Sequence, residues 1–230
     1  MNLFNKLGKW IKHKLISDSP DLDKDPNALE YKILVLGDRS VGKSSICTRF
    51  AMNEFNLEIK PTTQFECYTR AVKIMDQIIK IYLIDIDESL MSKGDRTHIY
   101  ADVKGAVIVY DVTKTKTFEK VENWIIDLRQ KTSLNIPIIL IGNKTDLTFL
   151  KNVDYEEGFD KAETLNCEFM ECSCVDINSV RQAIQLLIAK IYYSELSEVK
   201  KAQLKDMLIG ADNKDVKDEE NRKIKENEII

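Results

Sequence analysis

The sequence predicts an α/β fold, a mostly parallel sheet with helices on both faces. Three observations carry that expectation. Near-continuous apolar runs recur at Tyr31–Leu36, Ile78–Ile84, Ala106–Tyr110, Pro137–Ile141 and Glu168–Cys172, the pattern of strands buried on both faces. Between them, apolar residues at three- and four-residue spacing predict helices over 44–52, 117–131, 154–165 and 177–193. Phe65–Ile74 reads as another strand, joined to Ile78 through Met75-Asp76-Gln77. A turn that short demands an antiparallel pair.

The ends fall outside this alternation. Residues 1–16 are a basic amphipathic helix, and 17–29, polar and broken by Pro20 and Pro26, are a linker. One domain is expected over 30–193, followed by a charged extension, 194–230, partly helical or disordered. In that extension Leu196, Val199, Leu204, Met207 and Leu208 are expected on one helix face. A formal net charge of −4 gives no overall reason for nucleic-acid binding. Five cysteines, at 47, 67, 167, 172 and 174, follow no metal-ligand spacing. They are expected as reduced, mostly buried thiols of a cytoplasmic protein, with Cys172 and Cys174 on the same side of a strand. No apolar run reaches the roughly 18–20 residues of a membrane span, and lysines interrupt the N-terminus where a secretory signal would be apolar.

The first strand runs into Gly37-Asp38-Arg39-Ser40-Val41-Gly42-Lys43-Ser44, with Ser45 following. Glycines let backbone N–H groups turn toward a phosphate chain, and the next helix adds its positive N-terminal end. Lys43 would reach the β- and γ-phosphates and the Ser44 hydroxyl would meet Mg²⁺. A glycine turn that merely precedes lysine and serine has the same letters; its place between a buried strand and a helix argues against that.

A phosphate loop alone does not separate ATP from GTP. Asn143-Lys144-Thr145-Asp146 closes the Pro137 strand. A carboxylate there accepts both N–H donors of guanine's Watson–Crick edge, which adenine does not offer in that arrangement. Such paired contacts reject analogues, because a mismatch leaves buried polar groups unpaired. The alternative is an ordinary polar turn.

The order GDRSVGKS, PTT, NKTD and ECSC resembles the small GTPases of the Ras superfamily, and YDVTKTKTFEKVENWIIDL, Tyr110 to Leu128, looks most like the Rab branch. The resemblance covers roughly 30–193 and implies a six-stranded sheet with one antiparallel strand. It implies GTP or GDP with Mg²⁺ as cofactors, a monomer, and a switch in vesicle traffic. Asp38, Arg39, Ser40, Val41, Gly42, Lys43, Ser44 and Ser45 would line the phosphates. Phe55 would pack edge-on against guanine and Lys144 would cover a face of the base. Ser173 would support the base loop, beside Cys174 and Val175. Thr62 would meet Mg²⁺ and the γ-phosphate, and Asp85 would hold the metal through water. Effectors and regulators would read residues near 56–66 and 85–100.

The sequence departs from the family after Asp85. The usual D-T-A-G-Q is here Asp85-Ile86-Asp87-Glu88-Ser89. Ser89 stands where a glutamine orients the attacking water, and it is too short to do so in the usual way. Glu88 brings negative charge toward a polyanion; a unit pair about 4 Å apart repels by roughly 4 kcal/mol at an effective dielectric of about 20. Arg39 replaces a small residue and obstructs an arginine finger, or else acts as a built-in positive group. Gln64 replaces a glycine, and Val175 a lysine near the base. Lys43, Thr62 and Ser89 are therefore the candidate catalytic set, with slow hydrolysis expected because positioning and charge stabilisation supply nearly all of this catalysis. A non-cycling pseudo-GTPase, loaded with nucleotide as an interaction module, is the rival. An ATPase or nucleotide kinase leaves Asn143 and Asp146 without a purpose.

With no cysteine after Cys174 and asparagine at position 2, neither prenylation nor N-myristoylation is expected. Leu3, Phe4, Leu7, Trp10, Ile11 and Leu15 instead share one helical face, with Lys6, Lys9, Lys12 and Lys14 around or beside it. That is the signature of an interfacial helix, to which four lysines near an anionic leaflet add up to about 4 kcal/mol. Packing on the protein's own surface, binding a partner, or serving as a mitochondrial presequence are the alternatives. The first predicts peripheral attachment to the cytosolic face of an endomembrane. Deleting 1–16 should then abolish sedimentation with anionic liposomes, and equal binding with and without these residues would refute it.

Overall fold

The computed structural model describes residues 25–52, 65–74, 77–87, 97–132 and 135–205. In chain order, β1 (Leu29–Leu36) leads to α1 (Lys43–Met52), and β2 (Phe65–Ile74) to β3 (Gln77–Ile86). The short α2 (Thr97–Tyr100) precedes β4 (Val103–Asp111), and α3 (Thr115–Glu119) with α4 (Val121–Lys131) precedes β5 (Ile138–Asn143). A 3₁₀ turn (Thr148–Leu150) and α5 (Tyr155–Thr164) lead to β6 (Glu168–Cys172), which is followed by α6 (Ile177–Glu195).

Every expected strand is present in one sheet of order β2-β3-β1-β4-β5-β6. β1 pairs in parallel with β3 and β4, and β4-β5-β6 continue in parallel. Only β2 runs the other way, from Phe65 opposite Ile86 to Ile74 opposite Gln77. Along β1 the period of two divides the core. Tyr31, Ile33 and Val35 face one apolar layer with Ile46 and Phe50 of α1 and Val180, Ile184 and Leu187 of α6. Leu34 and Leu36 face the other, with Trp124, Ile125 and Leu128 of α4 and Ala162 of α5. Each such side chain contributes about 1.5–3 kcal/mol by burial, so β1 is fixed from both sides.

Two helical expectations need correction. The single helix over 117–131 is two, α3 and α4, which meet at Lys120, the C-cap of one and the N-cap of the other. Thr117 Oγ accepts the Asp111 N–H at 3.0 Å and donates to Lys114 O at 2.8 Å, tying α3 to the end of β4. The proposed apolar face after 194 is also interrupted. Leu196 caps α6 in an extended conformation, so the helix at 198–205 starts afresh. Leu204 is buried in the α1/α6 layer but Val199 is 68% exposed. Met207 and Leu208, like residues 1–16, lie outside the described residues. Cys172 and Cys174 do share a layer, although Cys174 stands beyond the strand's end. Among the described residues no helix is long and apolar enough to cross a membrane.

The chain leaving β1 crosses to the β3 side and the chain leaving β4 crosses to the β5 side, which opens a crevice between β1 and β4 at the strands' carboxyl ends. Gly37 turns the chain there with φ +141°, and a Cβ would lie 2.2 Å from the Val109 carbonyl oxygen. Backbone in β4 cannot give way cheaply. Gly37→Ala should therefore lower the unfolding free energy by at least about 2 kcal/mol, read from urea denaturation followed by circular dichroism.

Candidate functional site

Three loops meet at that crevice, after β1, β5 and β6. The first turns through positive φ at Ser40 (+64°) and Gly42 (+103°), then enters α1 at Lys43. Successive turns of this kind leave backbone N–H groups pointing one way, an anion-binding concavity. Lys43 is buried, and its Nζ donates to the carbonyls of Gly37 and Asp38, each at 2.8 Å. The ammonium is thereby fixed over the loop. Ser44 Oγ donates to Asp85 Oδ2 at 2.5 Å. Asp85, fully buried at the end of β3, thus sets a carboxylate beside a hydroxyl. Hard oxygen donors of this kind suit Mg²⁺.

Asp38 is turned inward. Its Oδ1 accepts from Trp124 Nε1 at 3.0 Å and its Oδ2 pairs with Lys120 Nζ at 2.8 Å. What it offers the crevice is backbone, while its carboxylate holds the loop against α4. Arg39 is exposed, Ser45 is half-buried, and Val41 is buried.

The second loop is braced against the first. Asn143 Nδ2 donates to Val41 O at 2.9 Å, and its Oδ1 accepts from Cys174 Sγ at 3.5 Å. Lys144, at φ +72°, donates from Nζ to Ser40 O at 2.8 Å. The third loop completes the frame. Ser173 Oγ donates to Asp146 Oδ1 at 2.6 Å and accepts the Val175 N–H at 3.1 Å. The Asp146 side chain is thereby aimed while its residue remains exposed. Val175 itself is 56% exposed. Burial pushes the Cys174 thiol up to about 11, so it is a neutral donor and no nucleophile.

Sequence reasoning missed the residues that hold these loops. Asp111, which closes β4, pairs through Oδ2 with Lys144 Nζ at 2.7 Å, and its Oδ1 accepts from Thr113 Oγ1 at 2.6 Å. Burial raises its carboxyl, but the bonds from Lys144 and Thr113 outweigh that and hold it below the usual carboxylate range. Arg49 of α1 donates to the carbonyls of Cys174 (2.9 Å) and Val175 (2.7 Å), clamping the third loop. Asp111 had a signal, an acid ending the apolar run AVIVY. Arg49 had none.

The structure therefore brings together Lys43, Ser44, Asp85, Asn143, Lys144, Asp146, Ser173 and Cys174. Phe55, Thr62 and Ser89, with Pro61, Gln64 and Glu88, lie outside the described residues.

The Ras family's sequence model matches residues 32–193. The Ras-related protein RABA1e of Arabidopsis thaliana is 40% identical over 162 residues, 70% of this chain and 75% of its own. Rab11B of Nicotiana tabacum is 39% identical over the same shares. Rab-11A of Dictyostelium discoideum is 37% identical over 163 residues, 71% of this chain and 76% of its own.

The Asp111–Lys144 pair joins the site to stability. A carboxyl depressed by folding stabilises above its unfolded pKa, and that contribution fades as pH falls through the folded value. Asp111→Asn should cost about 2 kcal/mol at pH 7, because a mostly buried ammonium loses its counter-charge. The gap between native and variant should narrow below about pH 4. Urea titrations across that range check both statements.

Proposed function

The chain belongs to the Ras family of small GTPases, close to its Rab branch, and from that premise we propose a guanine-nucleotide switch of membrane traffic with slow hydrolysis. One observation carries the reading: the phosphate loop and the base loop are locked together by side-chain-to-backbone bonds, Asn143 to Val41 and Lys144 to Ser40.

In this reading the N–H groups from Asp38 to Ser45 receive the phosphates, with Lys43 placed over them. Lys144 flanks the guanine while Asp146, held by Ser173, accepts from its N–H edge. Phe55 covers the base from the side. Ser44, Asp85 and Thr62 would hold Mg²⁺, which when bound neutralises charge on the β- and γ-phosphates. Thr62 and Asp85 lie on the two segments, 56–66 and 85–100, whose ordering a γ-phosphate favours and partners read. Residues 1–16 would supply reversible attachment to the cytosolic face of an endomembrane.

A second reading rests on Glu88 and Ser89. A chain that binds nucleotide well and turns it over hardly at all acts as a loaded interaction module. Turnover separates the two. Protein loaded with GTP and Mg²⁺ should convert it to GDP more slowly than the ~10⁻⁴ s⁻¹ order of ordinary members, followed by chromatography over a day. Ser89→Gln should raise the rate by about tenfold or more. Ordinary rates that Ser89→Ala leaves unchanged would sink the slow-hydrolysis account. Retention of neither nucleotide would sink the switch itself.

A further inference from the structure

Arg49 joins the helix that carries Lys43 and Ser44 to the third loop of the crevice. It stands in the last turn of α1, six residues beyond Lys43, about 9 Å along the helix axis. Its Nε donates to Cys174 O at 2.9 Å and its Nη2 to Val175 O at 2.7 Å. These donors share one edge of a planar guanidinium, so two successive carbonyls, and with them two peptide planes, are fixed at once.

Peptide planes decide where N–H groups point. In a trans peptide the N–H lies opposite the carbonyl. The carbonyls taken by Arg49 therefore turn the next two N–H groups the other way, toward Ser173. Val175 N donates to Ser173 Oγ at 3.1 Å and Asp176 N to Ser173 O at 3.0 Å. The N–H of Ser173 itself donates to Ser179 Oγ at 3.2 Å. Of the N–H groups from 173 to 176, that of Cys174 alone has no partner among the described residues, although the residue is only 6% exposed. A buried N–H without an acceptor is costly. Cys174 also lies against the second loop, where its thiol donates to Asn143 Oδ1 at 3.5 Å.

The chemistry of guanine says what such a donor meets. With Asp146 accepting from the base's N–H edge, the 6-oxo group next to that edge is an acceptor in need of a donor. A site offering only the carboxylate leaves this oxygen unpaired, at a cost in affinity. Ser173, whose hydroxyl holds Asp146 Oδ1 at 2.6 Å, immediately precedes Cys174, so adjoining residues set the carboxylate and the N–H.

We infer that Arg49 is a positioning residue for base recognition: its fork holds the third loop in the arrangement that offers the Cys174 N–H to the 6-oxo group of guanine. This rests on the guanine reading and adds a residue that determines its specificity. A cation in the last turn of α1 also suits the helix's negative end, but that role fixes no peptide plane and has no preference among bases.

The test compares three diphosphates on the native chain and on Arg49→Met, which keeps an unbranched stem and removes the donors. Dissociation constants come from competition with a fluorescent GDP. GDP against 6-thio-GDP, whose sulfur is the poorer acceptor, reads the 6-oxo contact. GDP against IDP, which lacks the 2-amino group, reads Asp146. The first preference should fall by about fivefold or more in Arg49→Met, while the second stays within about twofold. Arg49→Lys keeps the charge without the fork and should move the first preference the same way by a smaller factor. It carries the test should the methionine variant fail to fold. A first preference that neither variant changes overturns the proposal. So does an equal fall in both preferences, which assigns Arg49 to the general stability of the loop. A native chain that binds none of the three would sink the guanine reading itself, and this inference with it.

Discussion

The bond from the Asn143 amide to the Val41 carbonyl ties the two nucleotide loops into one object. It forms only because residue 42 is glycine. A Cβ there would lie 2.2 Å from Asn143 Nδ2, well inside contact distance. Asn143 in turn cannot retreat, since it ends β5 and is 1% exposed. A turn residue, a strand end and a buried amide thus specify one another. The same approach lets Lys144 reach Ser40, so the distance between phosphate and base contacts follows from one backbone spacing.

Charge is arranged around that frame by pairing. A site for a polyanion has little room for uncompensated acids, yet Asp38, Asp85 and Asp111 all border it, and each is buried. Asp38 is pulled toward Lys120 and Trp124, away from the crevice. Asp111 is matched by Lys144, and Asp85 accepts from Ser44. Burial raises the price of an unmatched carboxylate by several kcal/mol, so each partner is required by the acid it neutralises. These acids fix the position of the cations and hydroxyls that face the ligand.

The fold was legible because strands buried on both faces write themselves as unbroken apolar runs. β6 and β2 were read to the residue, while β1, β3 and β4 extended past their apolar runs through polar ends such as Glu30, Asp85 and Asp111. Lys120 misled the helix reading, since a lysine between two apolar helical stretches carries no sequence mark of a helix boundary. In the site, local motifs were legible and long-range braces were not. Gly42, Lys43, Ser44, Asn143 and Asp146 sit in short spaced patterns. Arg49 meets Val175 across 126 positions and Trp124 meets Asp38 across 86. Neither pairing leaves a local pattern, because each depends on which strands lie side by side.

The braced frame also clarifies how binding and turnover separate in this chain. In the proposed site, holding a nucleotide would draw on many contacts that share the load: loop N–H groups, Lys43, Lys144, Asp146 and a carboxylate–hydroxyl pair. Losing one weakens affinity by a limited amount, and Asn143, Asp85 and Lys43 are buried in the architecture besides. Turnover draws on few groups, because orienting one water molecule is a task for a single side chain. On the proposed reading, a serine at position 89 would remove that task without removing a binding contact. Glu88 would differ in kind on that reading, since a carboxylate carried toward the γ-phosphate would weigh most on the state with three phosphates. The two departures would therefore act on different quantities, Ser89 on the rate and Glu88 on the balance between GTP and GDP. On the proposed reading, a chain carrying both would be biased toward slow cycling with the diphosphate favoured, rather than toward permanent activation.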